Sequence, residues 1–319
     1  MNSTWIVWQA IANGLLTGGI YSLVGVGLTI VFGVMKIVNF AGGSYLLWGM
    51  YFTYFWQYAL GGKVSPYLLI PLVVLSMIVF GYITFKLTVR KVLGTSDTSY
   101  ILITIGLMFL LQNVAETFLG TRPLAVFVTE EYRYGAVVLG DLIGKIIPAL
   151  ANNQTLGTSS LGLLRFGFPQ LVAFGSMGAL VLIVHIILNR TLLGRAMRAT
   201  SENTEVAKML GIDTERTYTV AFIMGVTLAA LAGLLITPIF FVGIPAAVAF
   251  RLAPILVIVL GGMGSIKGSF FGGLLVGVVE ALVTTLVDAQ LSTASISILF
   301  LIIIYLRPQG LFGERMRVG

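Results

Sequence analysis

Long uninterrupted apolar stretches limit this 319-residue chain to few possible folds. The stretches at 66–86 and 169–189 each hold about 20 residues, the length that a helix needs to cross a bilayer. In lipid the backbone must satisfy its own hydrogen bonds, so only a helix bundle or a closed β-barrel can span it. The stretches show no alternation of apolar and polar residues, which excludes the barrel. The sequence therefore predicts an all-α, polytopic membrane protein.

The composition excludes a protein whose whole surface faces water. Hydrophobic residues make up 58% of the chain and charged residues only 10%, against about a quarter in soluble domains. The chain has no cysteine, which excludes disulfides, thiolate metal sites and cysteine nucleophiles. Its net charge of +7 is explained by cytoplasmic loops rich in Lys and Arg, so we expect no nucleic-acid partner. The first charged residue is Lys36, so no cleavable signal peptide is expected.

The apolar stretches and their polar breaks predict one transmembrane domain, 1–319, with about eight to ten membrane-spanning helices and glycine-rich packing. Nine spans are expected near 9–34, 38–60, 66–86, 98–119, 169–189, 217–238, 252–264, 270–288 and 290–306. The seventh is short enough to be re-entrant instead.

Basic residues orient these spans, because cytoplasmic loops of membrane proteins are enriched in Lys and Arg. An even number of spans separates each basic cluster from the next, so all three can lie in the cytoplasm. The N-terminus is then outside and the C-terminus inside. The clusters are Lys86/Arg90/Lys91, the loop 190–216, and Arg307/Arg315/Arg317.

The break at 120–168 is expected outside, as a segment of mixed polarity with short β-prone pieces. Its length favours a docking or gating role, although an ordered loop that covers helix ends is an equal alternative.

Small residues spaced four apart predict close helix packing, since they let backbones approach where no hydrophobic force acts between helices. Gly261 and Gly262, downstream of Pro254, mark a helix break that is either a simple end or part of a pathway lining. The spaced series are Gly14/Gly18, Gly273/Gly277, Gly225/Ala229/Gly233 and Gly264/Gly268/Gly272.

No motif indicates catalysis, so we predict a chain that is not an enzyme and that holds no metal and no cofactor. Acidic residues and histidine do not cluster at metal-ligand spacing, and 262–269 lacks the Gly-Lys-Ser order of a phosphate-binding loop. Glu116 and Glu280 fall in predicted spans, and Gln112 shares a helix face with Glu116. They support either structural hydrogen bonding or a second hypothesis, an ion-coupled carrier or channel.

The polar segment between the fifth and sixth spans predicts a short helix from Thr204 to Leu210 at the membrane surface. Asn203 is its expected N-cap, Gly211 its C′ residue, and Asp213 the N-cap of the next span. An apolar side with charges of both signs fits a protein groove better than lipid, where a Lys/Arg-rich polar face is usual. The apolar side consists of Val206, Met209 and Leu210.

Several sequence blocks resemble the permease family of branched-chain amino-acid ABC transporters, of the LivH/LivM type and nearer to its LivH branch. The spacing from Glu205 through Ala207 to Gly211 is similar to the coupling helix of ABC-importer permeases. After Asn39, Phe40 and Ala41, many members have His then Gly, whereas this chain has Gly42 and Gly43. The substrate is therefore left open among branched-chain amino acids, urea, short amides and aromatic acids. The blocks are 13–49, 194–213, 259–273 and 307–313.

The resemblance implies a subunit of a multisubunit importer in the prokaryotic cytoplasmic (inner) membrane. Its implied partners are membrane lipid, a second permease, two cytoplasmic ATPases that bind ATP and Mg²⁺, and an external substrate-binding protein. The implied ATPase-coupling residues are Arg198, Glu202, Asn203, Glu205, Ala207, Lys208 and Gly211. The pathway or gate candidates are Asn39, Gly42, Gly43, Ser44, Gln112, Glu280, Gly261 and Gly262.

Overall fold

The computed structural model describes residues 3–120, 122–126, 136–138, 165–307 and 309–312. In this part of the chain, eight helices are long and apolar enough to cross a membrane, which confirms the polytopic helical bundle. Most of the segment that the sequence places outside lies beyond the described residues.

Apart from short helical turns, the described elements are eleven α-helices and one small antiparallel pair of strands, β1 and β2. The helices are α1 Ser3–Met35, α2 Gly42–Ala59, α3 Ile70–Thr84, α4 Asp97–Leu119, α5 Phe168–Arg190, α6 Leu192–Glu202, α7 Thr204–Met209, α8 Thr214–Ile236, α9 Ile244–Gly261, α10 Ile266–Leu286 and α11 Ser292–Leu306. The strands are β1 Ala136–Val138 and β2 Arg165–Gly167. Short helical turns extend α3, with a 3₁₀ turn at Pro66–Leu69 before it and a π-helical turn at Phe85–Val89 and an α-helical turn at Arg90–Val92 after it.

Helix α1 lies at the centre of the bundle and packs against α10, α8, α9 and α5. Helix α8 packs in turn against α2 and α3, so α2 is buried between α8 and its neighbours. The outer helices α3, α5 and α11 leave large apolar side chains exposed, as expected for helices that face lipid.

Helix α2 begins inside the bundle, which corrects the span expected near 38–60. The hydroxyl of Ser44 donates to the carbonyl of Met108, the middle residue of α4, at 3.1 Å. The hydroxyl of Thr104, one turn nearer the start of α4, donates to the carbonyl of Val38 at 3.3 Å. The chain therefore turns back into the bundle after α1, and its 37–41 stretch is non-helical. Such backbone is tolerated at membrane depth where protein surrounds it.

Helix α9 starts eight residues before the expected 252–264 span and is long enough to cross a membrane. Pro245 occupies a first-turn position, where its missing N–H costs nothing. Pro254 lies inside the helix, and Phe250, four residues earlier, has non-helical angles (φ −95°, ψ 21°). A proline ring clashes with the carbonyl four residues before it, which explains the kink. The helix ends at Gly261, with Gly262 as its C-cap residue.

Close glycine contacts hold the central helices together, as the spacing predicts. A Cβ on Gly14 would lie 2.6 Å from Val278 Cα, and one on Gly18 would lie 2.7 Å from the carbonyl oxygen of Gly273. Gly27 in α1 and Gly225 in α8 meet in the same way. Gly264 does not belong to its expected series, because it lies in the turn before α10 with φ +96°, and an added Cβ there would meet nothing within 4 Å.

Two of the basic clusters meet at one end of the bundle. Arg90 Nε lies 2.7 Å from Glu215 Oε1, so the end of the α3 extension and the start of α8 lie side by side. Helices α4 and α5 lie between Arg90 and Glu215 in the chain. Two spans return a chain to the same side of a membrane, so the contact agrees with the two spans predicted between these basic clusters.

We expect Gly225→Ala to destabilise the protein. The new Cβ would lie 2.5 Å from the Gly27 carbonyl oxygen and 2.5 Å from Val31 Cγ2, and such overpacking costs about 1–3 kcal/mol. Gly175→Ala is the matched control, because nothing lies within 4 Å of its Cβ and helical Ala is favoured over Gly. Thermal unfolding of detergent-purified protein should show a lower Tm for Gly225→Ala alone; equal Tm values would contradict the packing argument.

Two lysines at opposite ends of one span test the orientation. Lys63 and Lys91 are both exposed; Lys63 precedes the helical stretch 66–92, and Lys91 lies in its last turn. Because the chain has no cysteine, Lys63→Cys and Lys91→Cys each give a single labelling site. A membrane-impermeant maleimide should label Lys63→Cys in intact cells and Lys91→Cys only after permeabilisation. The reverse pattern would show that the basic clusters face outward.

Candidate functional site

The polar segment at one end of the bundle forms two helices, α6 and α7, where the sequence predicted only the second. Helix α6 folds back on the end of α5, because Gly194 lets its backbone touch that of Leu188. Thr191 caps α6 by accepting from the Gly194 amide at 3.2 Å. The guanidinium of Arg198 donates to the Leu188 carbonyl, one of the last carbonyls of α5.

Helix α7 has the caps that the sequence predicts, although it ends at Met209, one residue early. Asn203 Oδ1 accepts from the amides of Glu205 and Val206, both at 3.0 Å. At the other end Gly211 has φ +80°, and its amide and that of Ile212 donate to two carbonyls of the last turn at 3.0 Å. This pattern is a Schellman cap. Both ends of a very short helix are thereby fixed.

Among the coupling candidates at 202–208, one side chain is buried and the others are exposed. Ala207 is buried, and the Thr204 hydroxyl lies 3.0 Å from the hydroxyl of Tyr218 in α8. Asp213 Oδ1 caps α8 by accepting from the Arg216 amide at 2.9 Å, as predicted. The exposed set consists of Glu202, Asn203, Glu205 and Lys208.

An apolar ridge on α7 also points away from the protein. Val206 is 49% exposed, Met209 84% and Leu210 74%. Met209 and Leu210 are thus largely uncovered by the described chain, and Val206 is half covered. We call Val206, Met209 and Leu210 the α7 ridge.

The pathway candidates at the start of α2 lie deep in the bundle. Asn39 and Ser44 are buried, and Asn39 Oδ1 accepts from the Ala41 amide at 3.0 Å. The Nδ2 atom of Asn39 makes no hydrogen bond within the described residues. A Cβ on Gly43 would lie 2.9 Å from the Ala247 carbonyl oxygen, so α2 and α9 touch here. A Cβ on Gly42 would lie 3.1 Å from the Leu28 side chain.

Gln112 meets a residue that sequence reasoning missed. Its Oε1 accepts from Arg251 Nη2 at 3.1 Å, which joins α4 to α9. Arg251 follows the kinked Phe250, and the expected span began just after it, at 252. Had the span been extended back to Ile244 and Pro245, it would have contained Arg251. A basic residue inside a membrane helix indicates a functional site.

A shallow, open groove of about 550 Å³ lies between α4 and α9. Glu116 lies in it, one helical turn after Gln112. The other lining residues are Ile244, Pro245, Val248 and Ala249.

The remaining pathway candidates lie elsewhere, so the structure does not unite the predicted set. Glu280 in α10 lies beside Tyr21 in α1, and its Oε2 atom has no hydrogen-bond partner among the described residues. Gly261 and Gly262 form the end of α9, where the carbonyls of Leu260 and Gly261 accept from the amides of Leu311 and Phe312. Neither position touches the Gln112–Arg251 pair.

Comparison with known proteins places this architecture among transport permeases. The family described as branched-chain amino acid transport system / permease component matches residues 10–306. A high-affinity branched-chain amino acid transport system permease protein, BraD of Pseudomonas aeruginosa, is 29% identical, and LivH of Salmonella typhimurium is 27% identical. In both comparisons the alignment covers 96% of this chain and 95% of the relative.

A probable branched-chain amino acid transport permease protein LivH of Methanocaldococcus jannaschii is 24% identical over 85% of this chain and 79% of that protein. Among solved structures, PsaBC from Streptococcus pneumoniae in complex with Fab matches with a TM-score of 0.47 at 12% identity, over 94% of this chain and 93% of that one. The family match spans nearly the whole helical bundle, and this multi-pass membrane protein therefore belongs to the branched-chain amino acid transport permease family.

Proposed function

We propose that this chain is a permease subunit of an ABC importer in a prokaryotic cytoplasmic membrane. With a second permease, homologous or identical, it would form the pathway for a branched-chain amino acid or a related small amphipathic solute. Two cytoplasmic ATPases would bind ATP and Mg²⁺, and an external binding protein would deliver the solute, in part through residues 120–168. The family membership and the amino-acid transport roles of the relatives support this role.

The observation that carries the proposal is the exposed α7 ridge on a rigid, doubly capped helix. Large apolar side chains on an otherwise polar surface indicate a binding partner. Exposed Glu205 and Lys208 flank the ridge, and mixed charges fit a protein groove better than a lipid surface. A cytoplasmic ATPase subunit is the partner that an importer requires at this end.

Contacts from α7 into the core support a role in transmitting motion. Thr204 contacts Tyr218 of α8, and Asp213 caps α8 directly after α7. Helix α8 touches the backbone of α1 at Gly27 and that of α2 at Leu46. Displacement of α7 by an ATPase would thus move the helices that surround the deep start of α2. Alternating access needs such a rigid connection between the energy source and the pathway.

An ion-coupled carrier has weaker support. Glu280 contacts Tyr21 at the α1–α10 interface, whereas Glu116 lies in the α4–α9 groove. A proton relay needs acidic groups close to one another along one pathway. These two carboxylates belong to different helix interfaces.

Substitution of the α7 ridge tests the coupling role. Met209→Ser should weaken copurification of the ATPase and reduce solute-stimulated ATP hydrolysis about tenfold, because a largely buried interface side chain often contributes 1–2 kcal/mol. It should leave the Tm of the isolated permease unchanged, since Met209 is 84% exposed. Tyr58→Ser is the matched control, because Tyr58 is 76% exposed and lies in the last turn of α2, away from α7 in the chain. Normal ATPase association in Met209→Ser would count against the coupling role.

Gly211→Val should have the same effect as Met209→Ser by another route. A β-branched residue is strained at φ +80°, so the Schellman cap and the orientation of α7 should be lost.

Uptake into proteoliposomes decides the class of transporter: solute should enter only with ATPase subunits and ATP. Uptake by the permease alone, driven by a proton gradient and lost in Glu280→Gln, would replace the importer by the ion-coupled carrier.

A further inference from the structure

The lipid-facing side of α5 ends in an arginine. Helix α5 is apolar and long enough to cross a membrane from Pro169 to Arg190. At about 1.5 Å per residue this stretch covers about 33 Å, close to the thickness of the hydrocarbon core. Ile183 and Ile186 are 50% and 49% exposed, and they share a helix face with exposed Arg190. Arg190 thus follows lipid-facing side chains at the depth where the lipid headgroups begin.

The first turn of α6 places a second arginine beside this end of α5. Gly194 lets the α6 backbone touch that of Leu188, so the start of α6 lies against the last turn of α5. Leu192 is 75% exposed, and Arg195, three residues later on the same side of α6, is also exposed. Each arginine therefore has an exposed aliphatic side chain one helical turn before it. We call Ile186, Arg190, Leu192 and Arg195 the α5–α6 elbow.

The two elbow arginines have no acceptor in the part of the chain that the structure describes. Neither guanidinium makes a hydrogen bond or an ion pair there. Their polar neighbours differ, because Asn189 donates to one carbonyl of α5 at 2.9 Å and Arg198 donates to another. The next acidic residue along α6 is Glu202, two turns beyond Arg195. The elbow therefore presents two positive charges that no described side chain neutralises.

An anionic phospholipid matches both the charges and the apolar side chains of the elbow. Guanidinium groups bind phosphate oxygens well, and basic residues at a membrane surface attract anionic headgroups. The aliphatic side chains beside the arginines fit an acyl chain, from which a soluble phosphate would gain nothing. Helix α7 differs, since its exposed face carries Glu205 and Lys208, charges of both signs that fit a protein better.

We propose that the α5–α6 elbow binds an anionic phospholipid. Arg190 and Arg195 hold the phosphate oxygens of the headgroup, and one acyl chain lies along Ile186 and Leu192. The bound headgroup holds the start of α6 at the membrane surface. This site is independent of the permease function proposed above, because it requires only that α5 spans a membrane.

Lipid titration of the detergent-purified permease, followed by native mass spectrometry, tests the site. Dioleoyl phosphatidylglycerol and dioleoyl phosphatidylcholine have the same acyl chains and differ in net charge, so their Kd values isolate the effect of headgroup charge. The Kd of the first bound phosphatidylglycerol should be about 20-fold lower, since each arginine near the surface contributes about fivefold in affinity. Equal Kd values for the two lipids would overturn the proposal.

Charge variants locate the binding site. Arg190→Gln and Arg195→Gln should each raise the Kd for phosphatidylglycerol about fivefold and leave that for phosphatidylcholine unchanged. Arg190→Lys should retain part of the preference, because it keeps the charge. Lys208→Gln is the matched control, since it removes the same charge from an exposed position in the same loop, and it should keep the preference. An equal loss in Lys208→Gln would show that the net charge of the loop, and not the elbow, attracts the lipid.

Two further measurements separate the lipid from other occupants. Leu192→Ser should raise the Kd for phosphatidylglycerol, and excess glycerol phosphate should not displace the lipid. Displacement by glycerol phosphate, with no effect of Leu192→Ser, would identify a soluble phosphate as the ligand and refute the lipid site. Unchanged lipid binding in Arg190→Gln, together with weaker copurification of the ATPase, would make the elbow a protein contact and refute it equally. An unchanged Tm, expected because these side chains are exposed, shows that each variant is folded.

Discussion

The backbone contacts of α1 with α8 and α10 are the constraint on which the rest of the bundle depends. In lipid no hydrophobic force draws helices together, so their association relies on dense van der Waals contact between backbones. Glycine pairs such as Gly14/Gly277 and Gly27/Gly225 allow that contact over much of the length of α1. With α1 and α8 fixed, α2 can pack against α8 at Gly233 and remain buried from its first residue.

The deep start of α2 and the kink of α9 form one unit. Pro254 has no N–H to donate to the Phe250 carbonyl and displaces the helix there. Gly43 fits against this kink, since its Cβ would lie 3.2 Å from the Phe250 carbonyl oxygen and 3.3 Å from Arg251 Cα. A glycine at position 43 is therefore required by the close contact with α9. The kink directs Arg251 toward Gln112.

Sequence reasoning found the features that local chemistry determines. Apolar runs gave the spans, and Asn203, Gly211 and Asp213 gave the caps of α7 and α8, because a cap depends on residues within one turn. It missed the depth at which α2 starts, the α9 segment that contains Arg251, and helix α6. These depend on contacts between residues far apart in the chain, such as Ser44 with Met108. Gly264 shows the same limit: spacing cannot tell a packing glycine from a turn glycine. The cytoplasmic orientation and the roles of the site residues stay predictions.

A physical route connects the α7 ridge to the α4–α9 groove. Helix α7 is fixed to α8 through Thr204 and Asp213, and α8 holds α2 through Gly233. In the first turn of α2, Gly43 contacts α9 at Arg251. Ser44 bonds to Met108 of α4, one turn before Gln112. The contacts at Gly233 and Gly43 join backbones, so a rigid shift of α8 cannot be absorbed there by side-chain rotation alone. Such a shift would move α2 against α4 and α9, the two helices that the Gln112–Arg251 hydrogen bond joins.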